Sequence, residues 1–294
     1  MVEAVNQQTK NISRLGAFEK RVHEVDFVRG LLMIIVILDH IFLKLWQLGL
    51  VNPSIPFLDG LYKVFSFYWY SDARSVIRPL VLFGFTFISG LSSAFSKNNW
   101  KRAGLLLVVY SSLLVITNVM QVFVNNGATV RIDFNVIGVL AFSTIFYCLF
   151  QKYSWKPIAS FALLSVLITV YFVPFLTTIP GFTSNVYIPV LWSPEFLRSS
   201  WDPIRNCFVY GRVETMGIAQ GDYMPLFPYI GFFFLGALVA KFLYKNKKSI
   251  FKNRYNFERP FCFVGRHAIW FYLGHQVILF PLFEILRIIF SKGV

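Results

Sequence analysis

The stretch Asp26-Phe27-Val28-Arg29-Gly30-Leu31-Leu32-Met33-Ile34-Ile35-Val36-Ile37-Leu38-Asp39-His40 opens with two charged residues, runs through nine uncharged ones, and closes on a carboxylate beside an imidazole. It belongs to an apolar block, Phe27–Leu50, which exceeds the about 20 residues that a helix needs to cross a bilayer. No period-2 alternation breaks the block, so the stretch predicts a membrane-spanning helix with ionisable groups at both ends of its apolar run. Such groups cost about 2.5–3.5 kcal/mol at a span centre on insertion scales, and each therefore needs a reason to be there.

The rest of the chain agrees with a hydrocarbon solvent. Charged residues make up 14% of the 294 positions and apolar residues 56%, against about 25% charged for an ordinary soluble domain. Six further apolar blocks follow the first: Ile77–Phe95, Gly104–Val124, Phe134–Phe150, Pro157–Leu176, Pro225–Leu243 and Ala268–Phe290. The fold class is thus all-α, a polytopic integral membrane helical bundle of about seven spans. Phe57–Tyr70 is apolar and aromatic but short, and it carries Asp59 and Lys63. It reads as an interfacial helix or part of an extracytoplasmic cap. Residues 1–25 form a polar N-terminal segment, residues 26–294 one membrane domain, and residues 177–224 its longest loop. A loop of that length in a compact protein is usually functional.

Lys and Arg set the orientation. With the N-terminus in the cytoplasm, 18 of the 28 basic residues fall on the cytoplasmic side and ten on the other. The loop 177–224 and the C-terminus then lie outside. The net charge of +14 sits between apolar blocks instead of along one stripe, which argues against nucleic acid as a partner. Cys148, Cys207 and Cys262 lack metal-type spacing and read as ordinary residues without a disulfide or metal. No cleavable signal peptide is visible, so the first block is expected to remain as the first span.

Arg29 and His40 are eleven residues apart, about three turns of helix, and Asp26 and His40 are also close to a whole number of turns apart. Asp26, Arg29, Met33, Val36 and His40 are therefore predicted to line one stripe. His40 then lies about 16 Å outward of Arg29, past the bilayer middle. Arg29 either snorkels to the cytoplasmic headgroups or meets an anion. A neutral imidazole beside a carboxylate, as in Asp39-His40, is what a general base needs: a pKa near working pH and an orienting partner. Asp39 lies about 100° round the helix from His40, so its carboxylate orients either His40 or another group.

These residues resemble the first-helix motif of the transmembrane acyltransferase superfamily. Further pieces of the chain are similar to the bacterial branch of the heparan-alpha-glucosaminide N-acetyltransferase catalytic-domain proteins. They are Arg78-Pro79 with Phe87-Ile88-Ser89-Gly90, and Lys101-Arg102. Later come Asp222-Tyr223-Met224-Pro225-Leu226-Phe227-Pro228-Tyr229-Ile230-Gly231, Gly265-Arg266-His267 and Tyr272-Leu273-Gly274-His275-Gln276. The resemblance covers about residues 20–290. It departs from the pattern at Ala141, where a polar residue, often His, is expected after Gly138-Val139-Leu140.

The resemblance implies a multi-pass plasma-membrane enzyme that moves a small acyl group, acetyl in the first instance. The donor is cytoplasmic acetyl-CoA or another acyl-CoA, and the acceptor an extracytoplasmic sugar or polysaccharide. No metal is expected, and a homo-oligomer is left open. His40 is implied as the catalytic histidine, with Asp39 beside it. Arg29, with Lys101 and Arg102, is implied to meet the CoA phosphates. Arg266 and His267 at the inner end of the seventh span are topology anchors or cofactor ligands. His275 on the same span either makes a buried hydrogen bond or lines the acyl channel. Asp26 is grouped with the substrate-binding residues. Arg78 is an interface residue or a partner for Asp39. Asp222 caps the sixth span or binds a sugar hydroxyl. Trp192 and Trp201 read as interfacial anchors.

Two other functions fit a bundle with charge at membrane depth. A secondary transporter would show repeat symmetry and paired broken spans, neither of which is visible. A non-enzymatic seven-helix protein leaves Asp39-His40 without a role. The orientation itself is testable: a reporter fused after Lys248 is expected to stay cytoplasmic, and labelling of that site from outside would reverse the topology.

Overall fold

The computed structural model describes residues 22–52, 54–123, 132, 134–168, 224, 226–244, 249–251 and 255–291. Among them are nine α-helices and no strand. They are α1 (His23–Gly49), α2 (Pro56–Trp69), α3 (Asp72–Phe95), α4 (Asn99–Phe123), α5 (Val136–Phe150), α6 (Trp155–Leu167), α7 (Tyr229–Leu243), α8 (Glu258–Arg266) and α9 (Ala268–Ser291). The first, third, fourth and ninth contain runs long and apolar enough to cross a membrane, and α5, α6 and α7 are shorter apolar helices. These seven correspond to the seven apolar blocks, and the short aromatic block is the helix α2. The protein is an all-α membrane bundle. The N-terminal residues 1–21 and most of the loop 177–224 lie outside the described residues, as do Cys207, Trp192 and Trp201.

The surface explains why the chain needs lipid. Along α4, Leu105, Val108, Val115, Val119 and Val122 are all exposed, as are Val277, Ile278, Ile285 and Ile289 along α9. Apolar area of that extent on a protein in water would drive association. Inside the helices, polar side chains bond to their own backbone. Ser92 Oγ donates to the Ile88 carbonyl at 2.6 Å, Ser112 Oγ to Val108 at 2.8 Å and Thr144 Oγ1 to Leu140 at 2.6 Å. A bilayer core offers no water to do this, so such groups must be satisfied within the protein.

The chain divides into two compact units, Met1–Phe65 with Ala240–Val294, and Ser66–Val239. In the second unit, α3 is capped by Ser71, whose side chain accepts from the Arg74 N–H at 3.2 Å. Buried Asn135 caps α5 in the same way through the Gly138 N–H, also at 3.2 Å. An aromatic core joins α3, α5, α6 and α7. Phe83 and Phe232 have ring centroids 4.0 Å apart, Phe161 and Phe234 4.5 Å, and Tyr147 and Phe233 6.1 Å. The close fit of α3 to α7 rests on two glycines. A Cβ on Gly90 would lie 1.8 Å from the Phe233 carbonyl oxygen, and one on Gly236 1.9 Å from that of Phe87.

The first unit repeats the device. A Cβ on Gly30 of α1 would lie 1.9 Å from the Phe261 carbonyl oxygen of α8, and one on Gly265 of α8 1.8 Å from that of Asp26. Small residues at such crossings let helix backbones touch, which is how helices pack where lipid supplies no hydrophobic drive between them. Beyond the crossing, α9 runs alongside α1 in the same direction. His40 meets His275 one turn before Lys44 meets Phe280.

Gly30→Ala and Gly265→Ala are each expected to cost about 1–3 kcal/mol through overpacking, read as a lower melting temperature in detergent. Gly104→Ala on α4, where an added methyl meets nothing within 4 Å, is expected to be neutral or to stabilise by up to about 1 kcal/mol. Equal melting of the Gly265→Ala and Gly104→Ala proteins would show that the crossing has slack.

Candidate functional site

Three levels of polar chemistry are stacked along α1 in the first unit. The innermost begins at the helix start, where Glu24 and Asp26 place carboxylates in the first turn, the sign that the exposed N–H groups of a helix N-terminus favour. Glu24 accepts from the Ser249 hydroxyl through a short hydrogen bond, and its other oxygen accepts from the Ile250 N–H at 2.8 Å. Buried His23 lies 2.9 Å from Ser249 Oγ through Nδ1 and 3.8 Å from Glu258 through Nε2. Burial, then the charge of Glu24 and a hydrogen bond to it, push the Tyr244 phenol up to about 12. It therefore stays a neutral donor at any working pH. This network clasps the start of α1 to segment 249–251 and to α8.

The second level lies on the glycine crossing. Arg29 Nη1 donates to Asp26 Oδ1 and to the Gly265 carbonyl, both at 3.2 Å. Arg266 Nε donates to the Cys262 carbonyl at 3.1 Å and lies 3.9 Å from Asp26 Oδ2. Two guanidinium groups thus meet one carboxylate. The Gly265 carbonyl can accept from Arg29 only because nothing but hydrogen stands on Gly30 and Gly265 between the two backbones. Paired guanidinium groups of this kind suit a phosphate.

The third level is the histidine pair. His40 Nδ1 lies 2.8 Å from the Val36 carbonyl oxygen, four residues back on the same helix. A carbonyl only accepts, so Nδ1 carries the proton and Nε2 keeps the lone pair. His40 is half-buried and stands edge-on to His275 of α9, with ring centroids 5.0 Å apart at 72°. His275 is 6% exposed, and its Nδ1 lies 3.1 Å from the Phe271 carbonyl oxygen. Tyr272 flanks it at a centroid distance of 5.6 Å. One turn outward, the Lys44 ammonium sits 5.3 Å from the centre of the Phe280 ring. Asp39 is half-buried on α1 beside His40.

The fold thus brings Asp26, Arg29 and Arg266 into one cluster and His40 and His275 into another. His267, the exposed C-cap of α8, turns its Nδ1 to the Phe263 carbonyl at 2.9 Å. Lys101, Arg102 and Arg78 belong to the second unit. There Arg102 donates to Ser89 Oγ at 2.7 Å and to Ser93 Oγ at 2.9 Å, while Lys101 is exposed and Arg78 is half-buried. Buried Asn99 joins the same end of that unit, donating to the Ser93 carbonyl at 2.9 Å and to Gln151 Oε1 at 2.8 Å. Ala141 is buried in α5 next to Ser143 and Thr144. Asp222 lies outside the described residues. Among the described residues, no three His, Cys, Asp or Glu side chains are grouped to hold a metal ion.

A membrane helix with an arginine near its N-terminal end and a base-competent histidine past its middle is joined here to a second helix bearing another histidine. The family model of heparan-alpha-glucosaminide N-acetyltransferase, catalytic, matches residues 21–277, which takes in all three levels. The chain belongs to this family. No curated protein and no solved structure matched it. The family makes the protein an acetyltransferase-type membrane enzyme.

Sequence reasoning missed the clasp of His23, Glu24, Ser249 and Glu258, and the helix crossing at Gly30 and Gly265. The crossing had a signal, since each glycine stands next to an arginine in an otherwise bulky stretch. The clasp had none, because its members are about 225 residues apart in the chain. Glu24→Ala is expected to cost about 1–3 kcal/mol by removing the acceptor of two hydrogen bonds. Faster proteolysis near residues 249–251 and a lower melting temperature would report it; unchanged values would mean that the clasp is redundant.

Proposed function

We propose that this protein transfers an acyl group, acetyl in the first instance, from cytoplasmic acyl-CoA to an amino sugar or other glycan acceptor on the far side of the plasma membrane. One observation carries the reading. His40 has its Nδ1–H tied to the Val36 carbonyl, which holds Nε2 as the basic nitrogen of a half-buried ring about 16 Å along the helix from the arginine cluster.

In this reading the Arg29 and Arg266 guanidinium groups receive the phosphates of CoA at the inner end of α1, and the acyl thioester extends outward toward His40. Lys101 and Arg102 add positive charge on the cytoplasmic side. His40 Nε2 takes the proton from the acceptor amine or hydroxyl as that atom attacks the thioester carbonyl. The backbone tether of Nδ1 keeps the correct tautomer through the cycle and spreads the positive charge that develops on the ring. Asp39 is proposed to orient the acceptor as it reaches His40. Placing the site in the membrane keeps water from the thioester, so that the donor is not lost to hydrolysis.

The test is acetyl-CoA turnover by the purified protein in liposomes, with glucosamine and a mixed polysaccharide panel as acceptors. Acceptor-dependent release of CoA is expected, falling by about 100-fold or more in His40→Ala. Arg29→Ala is expected to raise KM for acetyl-CoA more than it lowers kcat. Wild-type protein that neither releases CoA nor binds acetyl-CoA would defeat this reading in favour of a secondary transporter.

A further inference from the structure

We infer that His275 is a second acid–base residue, which relays the proton that His40 removes from the acceptor; the inference rests on the acyltransferase reading above. Three observations carry it. His275 is 6% exposed in a predominantly apolar helix, and its buried position is one where a hydrocarbon side chain would avoid the cost of burying a polar ring. Its Nδ1 faces the Phe271 carbonyl at 3.1 Å, which leaves Nε2 as the basic nitrogen, the same tautomer as His40. Its ring is in edge-on contact with that of His40, with a centroid separation of 5.0 Å, and the inferred transfer between them runs through a single bridging water.

The chemistry supplies the reason for a pair. When the acceptor attacks the thioester carbonyl, its proton passes to His40 Nε2. The tetrahedral centre then collapses, the carbon–sulfur bond breaks, and CoA leaves as a thiolate. His40 is now an imidazolium within the membrane, where a charge without a partner is costly. Passing the proton to His275 Nε2, and from there to the departing thiolate sulfur, returns both rings to the neutral state. The products are then the acylated acceptor and CoA thiol, with no proton left over. Two neutral rings are needed at the start of each turnover.

The other titratable groups along this part of α1 and α9 are Asp39, Lys44, Tyr272 and Glu284, with Arg266 and His267 at the C-terminal end of α8, just before α9. Of the side chains between Asp39 and Glu284 on these two helices, only the two imidazoles have ordinary pKa values between pH 5 and 8. A requirement for both to be neutral therefore has its own signature. With a hydroxyl acceptor, which adds no titration of its own, the acid limb of the kcat profile should fall about 100-fold per pH unit in the wild type, because both rings must be neutral. In His275→Asn it should fall about tenfold per unit.

Asn is the informative substitution, because its amide N–H can replace Nδ1–H as the donor to the Phe271 carbonyl while offering no base. With acetyl-CoA and glucosamine in liposomes, His275→Asn is expected to lose about 100-fold in kcat at neutral pH with KM for acetyl-CoA unchanged, and His275→Gly to regain activity when imidazole is added. Wild-type kcat in His275→Asn would overturn the relay, as would a raised KM with no rescue by imidazole, since both mean that the ring serves packing alone. Should neither variant fold, the wild-type profile decides: a tenfold fall per pH unit excludes a second histidine. Absence of any acyl transfer by the wild type would instead defeat the acyltransferase reading, and the relay with it.

Discussion

The contact on which the first unit depends is the one between the backbones of α1 and α8 at Gly30 and Gly265. Carbonyl oxygens occupy the space that a methyl group on either residue would need. Lipid tails are as apolar as leucine, so a helix pair in a membrane gains little from hiding apolar side chains and much from close backbone contact. That contact does chemical work as well. It sets the Gly265 carbonyl against Arg29 and brings Arg266 to Asp26, so that a cluster of two guanidinium groups and a carboxylate forms near the N-terminal end of α1. The clasp between Glu24, Ser249 and Ile250 lies within the first turn of the same helix and holds the segment before α8 against it.

From this anchor the histidine pair follows by direction. α8 hands the chain to α9, which then runs outward beside α1. Contacts recur between the two helices as they rise, first His40 with His275 and then Lys44 with Phe280. The two rings share a tautomer for a common reason. In a helix, the carbonyl four residues back is the acceptor within reach of an imidazole, and His40, His267 and His275 all bring Nδ1 to it. The consequence is general for histidines in spans: the helix itself chooses Nδ1 as the protonated nitrogen and presents Nε2 as the base.

Much of this was legible in the sequence, and the reason is that it is local. Helix length follows from the length of an apolar run, and the placement of Arg29 and His40 on one helix follows from an unbroken run between them. The short aromatic stretch after the first span carried Asp59 and Lys63 four residues apart, and these pair across one turn of α2 at 2.7 Å. The series of motifs from the first span to Tyr272-Leu273-Gly274-His275-Gln276 was enough to indicate the family. By contrast, the sequence groups Arg102 with Arg29 and Lys101 as a residue for the CoA phosphates. Only the packing of α4 against α3 shows its guanidinium engaged by Ser89 and Ser93. A side chain's partner depends on which helix lies beside it, and spacing along the chain does not contain that.

The sequence by itself thus determined a membrane-embedded all-α protein with seven apolar helices, an arginine and a histidine on the first of them, and membership in an acetyltransferase family. All but the last are matters of solvent preference and helical period, both set within some twenty residues, while the family rests on the series of motifs. Tertiary structure alone decided that Asp26 is shared by Arg29 and Arg266, that His23 and Glu24 close on a segment more than two hundred residues away, and that His40 meets His275. Such meetings arise because small residues permit two backbones to touch at one point. The direction of each helix beyond that point then fixes which side chains come face to face.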